Sequence, residues 1–414
     1  MLRKKDLIRL SDISETLYRI SREVRILRHL RWPESVEIEF FEKKSQVLPK
    51  IKYPNFDYNK ISTKLKTLEN QYGDTPYDNW LKDKAAQIKI GSELLKSCGE
   101  KEFFDYSAKL YGAPKFPLSD GETSSLDIAR KFEATLDSHF NHLPNHLNHD
   151  FISSIEVKDE IEKKVFNVFK EASPKVIISD ELSAKATASS KNIKIKEGAR
   201  FTKNDIDQLF NHEAMVHVAT SLNGKTQKDM KILGANYGKV TKTQEGLAVF
   251  SEFITGCIDI NRMYRISDRV IAIQMSKDGA NFIDVYQFFL KRSKIKSQAF
   301  DDARRVFRGG VISGETPFTK DIVYLDGLVR IHNFLKIAIS NGKTDAIEIL
   351  FSGKIDLNDV SILLKMKKDG LIKKPKFLPK WAKNMNYLIS YFLFSNFVGK
   401  MNYDKVGGHY NSMF

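Results

Sequence analysis

The sequence predicts an α+β protein, mainly helical, with one small central sheet, on three observations. Apolar residues recur at three- and four-residue steps through most of the 414 residues. Short β-branched or alternating segments are confined to about residues 175–196. A capped helix start follows them directly at Thr202.

The elements follow in order. Leu7, Leu10, Ile13, Leu17, Ile20, Val24 and Leu27 predict helix over roughly the first 35 residues. Trp32-Pro33 ends that pattern, and Pro49 and Pro54 frame an irregular segment, PKIKYPNFDY. Helical patterns resume over 85–98 and Glu102–Tyr111, then stop at Gly112, Pro114 and Pro117. Another helix is expected over 124–140. Lys175–Ser179 reads as a strand, and 185–189 with Asn192–Lys196 as a hairpin in which Ile193 and Ile195 alternate with lysines. The next helix carries Ile206, Leu209, Phe210, Ala214, Val218 and Leu222 on its apolar face, with Asn223-Gly224 as its expected stop. Helices over 243–260, 266–280, Phe282–Ser293 and 320–340 lead to a helix-rich C-terminal part. This reading divides the chain into an N-terminal helical region (1–150), a core (151–330) and a C-terminal helical region packed on it (331–414).

Net charge is +15, so the surface attracts polyanions. The stretches 365–383 and 291–308 hold much of it. Two distant cysteines, Cys98 and Cys257, make no disulfide framework and fit a reducing compartment. The first twenty residues carry charges throughout and lack the apolar centre of a secretory signal. The longest apolar stretch, 388–398, is too short to span a bilayer and reads as a buried helix. A cytoplasmic location with no membrane partner is expected.

His212-Glu213-Ala214-Met215-Val216-His217 lies inside a predicted helix. The familiar zinc-binding string has its histidines four residues apart, on one helix face. Here the interval is five, which sets the side chains roughly 140° apart on a regular helix. One ion can be shared only if the helix widens locally, as a π-type turn does. Thr243-Gln244-Glu245-Gly246-Leu247-Ala248 opens a following helix, where Glu245 is a suitable third zinc ligand. Gly246 is expected to let that helix approach the histidine helix closely. Glu252, two turns on, reads either as an acceptor for a ligand imidazole or as a surface residue.

These strings together resemble the QEGLA-motif family, whose domain is shared with the microtubule-associated tyrosine carboxypeptidases. Trp32-Pro33, the segment around Tyr53 and Phe56, FTKNDIDQLFNHEAMVH at 201–217, ARRVFRGG at 303–310 and FTKDIVYL at 318–325 extend the resemblance. Ala214-Met215-Val216 departs from the family's usual Ile-Gly pair at that point, which alters packing and not ligands. The resemblance implies a gluzincin-like metallopeptidase fold, Zn2+ held by His212, His217 and Glu245, and Glu213 as general base. It also implies a peptide or protein C-terminal tail as substrate, and the basic surface suits an acidic one.

Such a hydrolase needs a donor for the oxyanion. Tyr324 is the candidate, with Lys320 one turn earlier. A carboxypeptidase must also hold a free carboxylate, for which the planar fork of arginine is suited. Arg304, Arg305 and Arg308 precede Gly309-Gly310, which can turn the chain toward a cleft. Three other readings compete. His139, His142, His146 and His149 form a histidine-rich tract interrupted by Pro144. Polyanion or nucleic-acid binding follows from charge alone, but no recognised nucleic-acid motif is present, so no specific nucleic acid is expected. A pseudoenzyme with structural zinc would have no use for Glu213.

Overall fold

The computed structural model describes residues 2–140, 151–182 and 184–413, and side chains up to residue 135 in the first segment. The long helices are α1 (Lys4–Ser21), α2 (Pro76–Lys96), α3 (Glu102–Tyr111), α4 (Ser125–Phe140) and α5 (Ser154–Phe169). Three strands follow: β1 (Lys175–Ser179), β2 (Ala186–Ala188) and β3 (Asn192–Lys196). Next comes α6, built from three consecutive segments, Lys203–Leu209, Phe210–Val218 and Ala219–Lys225. Then come α7 (Val240–Ile254), α8 (Ile260–Lys277), α9 (Phe282–Ser293), α10 (Lys296–Phe307) and α11 (Val323–Ser340). Near the end lie α12 (Met385–Val398) and α13 (Tyr403–Tyr410). The architecture is α+β, mainly helical.

The sheet has the order β1-β3-β2. β1 runs parallel to β3, with Val176 opposite Ile193, and β2 runs antiparallel to it, with Thr187 opposite Lys194. Ile193 and Ile195 are fully buried while their neighbours stay partly exposed, the period-two pattern of a half-buried strand. The buried face packs with Val157, Ile161 and Val165 of α5 and with Ala214, Met215 and Val218 of α6 in one apolar cluster. The sheet thus seats α6, whose start is fixed by a capping box between Thr202 and Asp205.

Several expectations need correction. α1 ends at Ser21, and a separate short helix covers Ile26–His29. No proline or glycine marks that break. α6 continues through Asn223-Gly224 to Lys225. Asn223 is instead an anchor: its amide donates to the carbonyls of Phe351 and Phe377 and accepts from the backbone of Lys376 and Phe377. Gly246 does not face α6. A Cβ on Gly246 would lie 2.4 Å from the Gly327 backbone, and one on Gly327 would lie 2.4 Å from the Lys242 carbonyl. The glycine pair draws α7 against α11. The helix at 388–398 exists, but Phe394 and Phe397 on it are exposed.

An aromatic cluster of Trp32, Phe40, Phe282, Tyr286, Phe300 and Phe307 supports the Gly309-Gly310 turn. The Tyr53 hydroxyl accepts from Trp32 Nε1 at 2.8 Å and from the Gly309 N–H at 2.6 Å. Gly309 has φ +87°, a conformation that glycine adopts freely. The Trp-Pro and PKIKYPNFDY segments therefore fix the turn that follows Arg308. Among the described residues no helix is long and apolar enough to cross a membrane.

Candidate metal centre

α6 meets its five-residue histidine interval by running as a π-helix over Phe210–Val218. The wider turn brings residues i and i+5 onto one side. The His212 and His217 rings sit edge to face, centroids 4.9 Å apart. α7 adds Glu245, whose Oε2 lies 3.5 Å from His212 Nε2 and 3.5 Å from His217 Nε2. Two ligands each about 2.1 Å from a shared tetrahedral ion sit roughly 3.4 Å apart. Two imidazoles and a carboxylate at this spacing can hold a metal ion. Of the histidine-rich tract, His142, His146 and His149 lie outside the described residues, as does the side chain of His139.

The orientation of His212 is imposed from behind. Its Nδ1 donates to Glu252 Oε1 at 2.6 Å, which turns Nε2 toward Glu245. Glu252 is fully buried. It also accepts from Gln208 Nε2 at 2.8 Å and from Arg262 at 3.0 and 3.1 Å. Burial would raise its pKa, but Arg262 and His212 outweigh that and hold it at about 2. Of the two readings of Glu252, the one in which it supports an imidazole fits its position. His217 Nδ1, by contrast, is buried without a hydrogen-bond partner.

Burial and neighbouring charges act in opposite directions on the groups of the cluster. Burial pulls the His212 pKa down, yet hydrogen bonds to Glu245 and Glu252 raise it to about 10. Glu245 is pushed up by burial and pulled further down by Lys320 and the two histidines, ending well below an ordinary carboxyl. Lys320 Nζ lies 3.6 Å from Glu245 Oε1.

The cluster opens into a cleft of about 790 Å³. Glu213 lines it, 8% exposed, and its side chain has no hydrogen bond or ion pair to any described residue. Tyr324 and Lys320 line it too. The three candidate arginines separate. Arg305 lies in the cleft but is committed: it grips Asp321 at 2.5 and 3.0 Å, and its Nη2 donates to the Tyr324 hydroxyl at 3.4 Å. Arg304 does not line the cleft and pairs with Asp301. Arg308 follows the helix end with φ −61° and ψ 121°, so it escapes the helical register and enters the cleft. Its Nε is buried without a partner, and burial beside the like charge of Arg305 pushes its pKa down to about 10.

Sequence reading missed part of this wall. Arg262, Arg265 and Arg269 of α8 all line the cleft. Their spacing of three and four residues is that of one helix face, the signal that was available. Arg262 serves Glu252, Arg269 approaches Asp302 and Asp321, and Arg265 has no ion pair among the described residues. Lys354 is also in the cleft, and burial pulls its pKa down to about 8. It left no local signal, because it comes from a loop more than a hundred residues after Glu245. At the mouth stand exposed Arg22, Arg25 and Arg28, beside the edge strand β2.

No curated protein matches this chain. Among solved structures, the crystal structure of the "putative lipoprotein from Colwellia psychrerythraea" is similar over 89% of this chain and 77% of that chain, at 11% identity and a TM-score of 0.43. The family profile of the microtubule-associated tyrosine carboxypeptidases matches residues 38–400. That match spans most of the chain, including the π-helix, Glu245 and the cleft arginines from Arg262 to Arg308, and so the chain belongs to the microtubule-associated tyrosine carboxypeptidase family.

Proposed function

We propose that this protein is a zinc-dependent metallocarboxypeptidase of gluzincin-like build that removes residues from the C-terminal tail of a peptide or protein. The observation that carries the reading is the convergence of His212, His217 and Glu245 beside an uncommitted Glu213. Family membership supports peptidase chemistry. A cytoplasmic setting, suggested by two free cysteines, and the three-part division of the chain belong to the same reading.

His212, His217 and Glu245 would hold the zinc, which supplies Lewis acidity and a water of lowered pKa. Glu213 takes the proton from the attacking water and returns it to the leaving amine. Tyr324 donates a hydrogen bond from its hydroxyl to the developing oxyanion, while the nearby guanidinium of Arg305 stabilises the charge. Arg308, with Arg265 on the facing helix, receives the terminal carboxylate of the substrate. Arg22, Arg25 and Arg28 at the mouth suit acidic residues upstream of the cleaved bond.

The test is mass-spectrometric analysis of a peptide library with free C-termini, comparing wild type with Glu213→Gln, with zinc content measured on both. The reading expects shortened peptides from the wild type, and a variant that keeps zinc but loses at least about a hundredfold in turnover. An active Glu213→Gln variant contradicts it. A zinc-loaded wild type that cleaves nothing points to a structural ion.

A further inference from the structure

The C-terminal segment departs from the rule that a helix apolar on every side is buried. α12, MNYLISYFLFSNFV, contains no charged residue, yet Leu388 and Phe392 are its buried positions. They fasten it to the core, with Phe392 stacked 6.2 Å from Phe250. The outer side presents Leu393 at 51%, Phe394 at 70% and Phe397 at 75% exposure. Exposed Met401, Tyr403 and Tyr410 continue the patch beyond the helix. Apolar residues scattered singly on a surface are ordinary, whereas a contiguous aromatic stripe marks an interaction site.

Charge selects the occupant. Between residues 370 and 413 there are seven lysines and one acidic residue, Asp404. Lys380, Lys383, Lys400 and Lys405 bracket the stripe, are exposed, and form no ion pair among the described residues. A second copy of this chain would bring identical patches together and set those lysines against one another. A lipid interface accepts both features. Aromatic rings settle at the level of the headgroups, and lysines are drawn to anionic lipids. A fourteen-residue helix is about 21 Å long, short of the roughly 30 Å hydrocarbon layer, so it lies on the surface and does not cross.

We propose that α12 and the segment through α13 dock this protein on an anionic phospholipid surface, with Leu393, Phe394 and Phe397 inserted among the headgroups. This replaces the expectation of no membrane partner, which rested on the lack of a spanning segment. It goes beyond the catalytic reading and does not depend on it.

The test is cosedimentation of the full chain with phosphatidylcholine vesicles, with and without phosphatidylglycerol. The expected result is binding to the phosphatidylglycerol vesicles, about tenfold weaker binding to phosphatidylcholine alone, and weakening with added salt. Phe394→Ser combined with Phe397→Ser should abolish binding while leaving the melting temperature unchanged, because both side chains are mostly exposed. No binding to phosphatidylglycerol vesicles overturns the proposal, as does binding that the double variant retains. Sedimentation velocity on vesicle-free protein supplies the remaining outcome. A wild-type dimer that the double variant dissociates assigns the stripe to a second copy and overturns the lipid proposal.

Discussion

Glu252 accepts a 2.6 Å hydrogen bond from His212 Nδ1 across forty residues of sequence, and Arg262 holds the same carboxylate from its other side. The His212 nitrogen that faces Glu245 is therefore aimed by a pair that lies outside the proposed metal site. Glu252→Gln keeps the size of the side chain and removes the charge that orients the ring. Zinc affinity is expected to fall by about 10- to 100-fold, measured by competition with a chromophoric chelator. Unchanged affinity would show that the orientation of His212 is set elsewhere.

Arg308 lines the cleft with a buried, unpartnered Nε and, unlike Arg269, has no carboxylate within ion-pair distance among the described residues. Arg308→Ala should raise KM for peptides with a free C-terminus by about 10- to 100-fold, the worth of a charge-assisted hydrogen bond of roughly 1.5–3 kcal/mol. Peptides with an amidated C-terminus should be poor substrates for both proteins and show little further loss. Arg308→Lys restores part of the affinity, since a point charge lacks the two-pronged fit. An equal loss on free and amidated peptides would sink the assignment.

The Arg305–Asp321 pair makes stability depend on pH in acid. Burial raises the Asp321 pKa, but Arg305, Arg269 and Lys320 pull it far below the usual carboxylate range. The folded-state pKa is thus depressed relative to the unfolded chain. Its stabilising contribution is complete above about pH 4, the unfolded value, and is lost as pH falls toward the folded value. Asp321→Asn should cost about 3–5 kcal/mol at pH 7, because it strands Arg305 without a counter-ion. It should also flatten the decline of melting temperature between pH 4 and pH 2. A decline as steep as that of the wild type would place the acid sensitivity in other groups.

Gly246 and Gly327 stand where the backbones of α7 and α11 meet with no room for a Cβ. An added Cβ at either must displace backbone, and backbone does not give as a side-chain tip does. Gly246→Ala and Gly327→Ala are each expected to destabilise by about 1–3 kcal/mol. Gly246→Ala should in addition weaken zinc binding, since Glu245 is its neighbour. Thermal melts with and without zinc measure both effects.

How much was legible in the sequence depended on whether the cause was local. Lys175–Ser179, Asn192–Lys196 and Phe282–Ser293 were read at their observed bounds, because alternation and capping are short-range signals. The π-turn of α6 was legible because five-residue spacing and a shared ion are incompatible on a regular helix. The break after Ser21 was not, since no special residue marks it. Asn223 looked like a stop signal and is a tether to residues more than a hundred positions away. Gly246 announced a close approach but not to which helix. Lys354 reaches the cleft through tertiary packing alone, and the exposure of Phe394 and Phe397 follows from which face of α12 finds the core.

The most direct measurement of the central claim is diffraction from crystals of the zinc-soaked protein, at energies on either side of the zinc absorption edge. One strong anomalous peak is expected about 2.0–2.2 Å from His212 Nε2, His217 Nε2 and a Glu245 carboxylate oxygen. The absence of a peak there, or a peak that leaves Glu245 out, would contradict it.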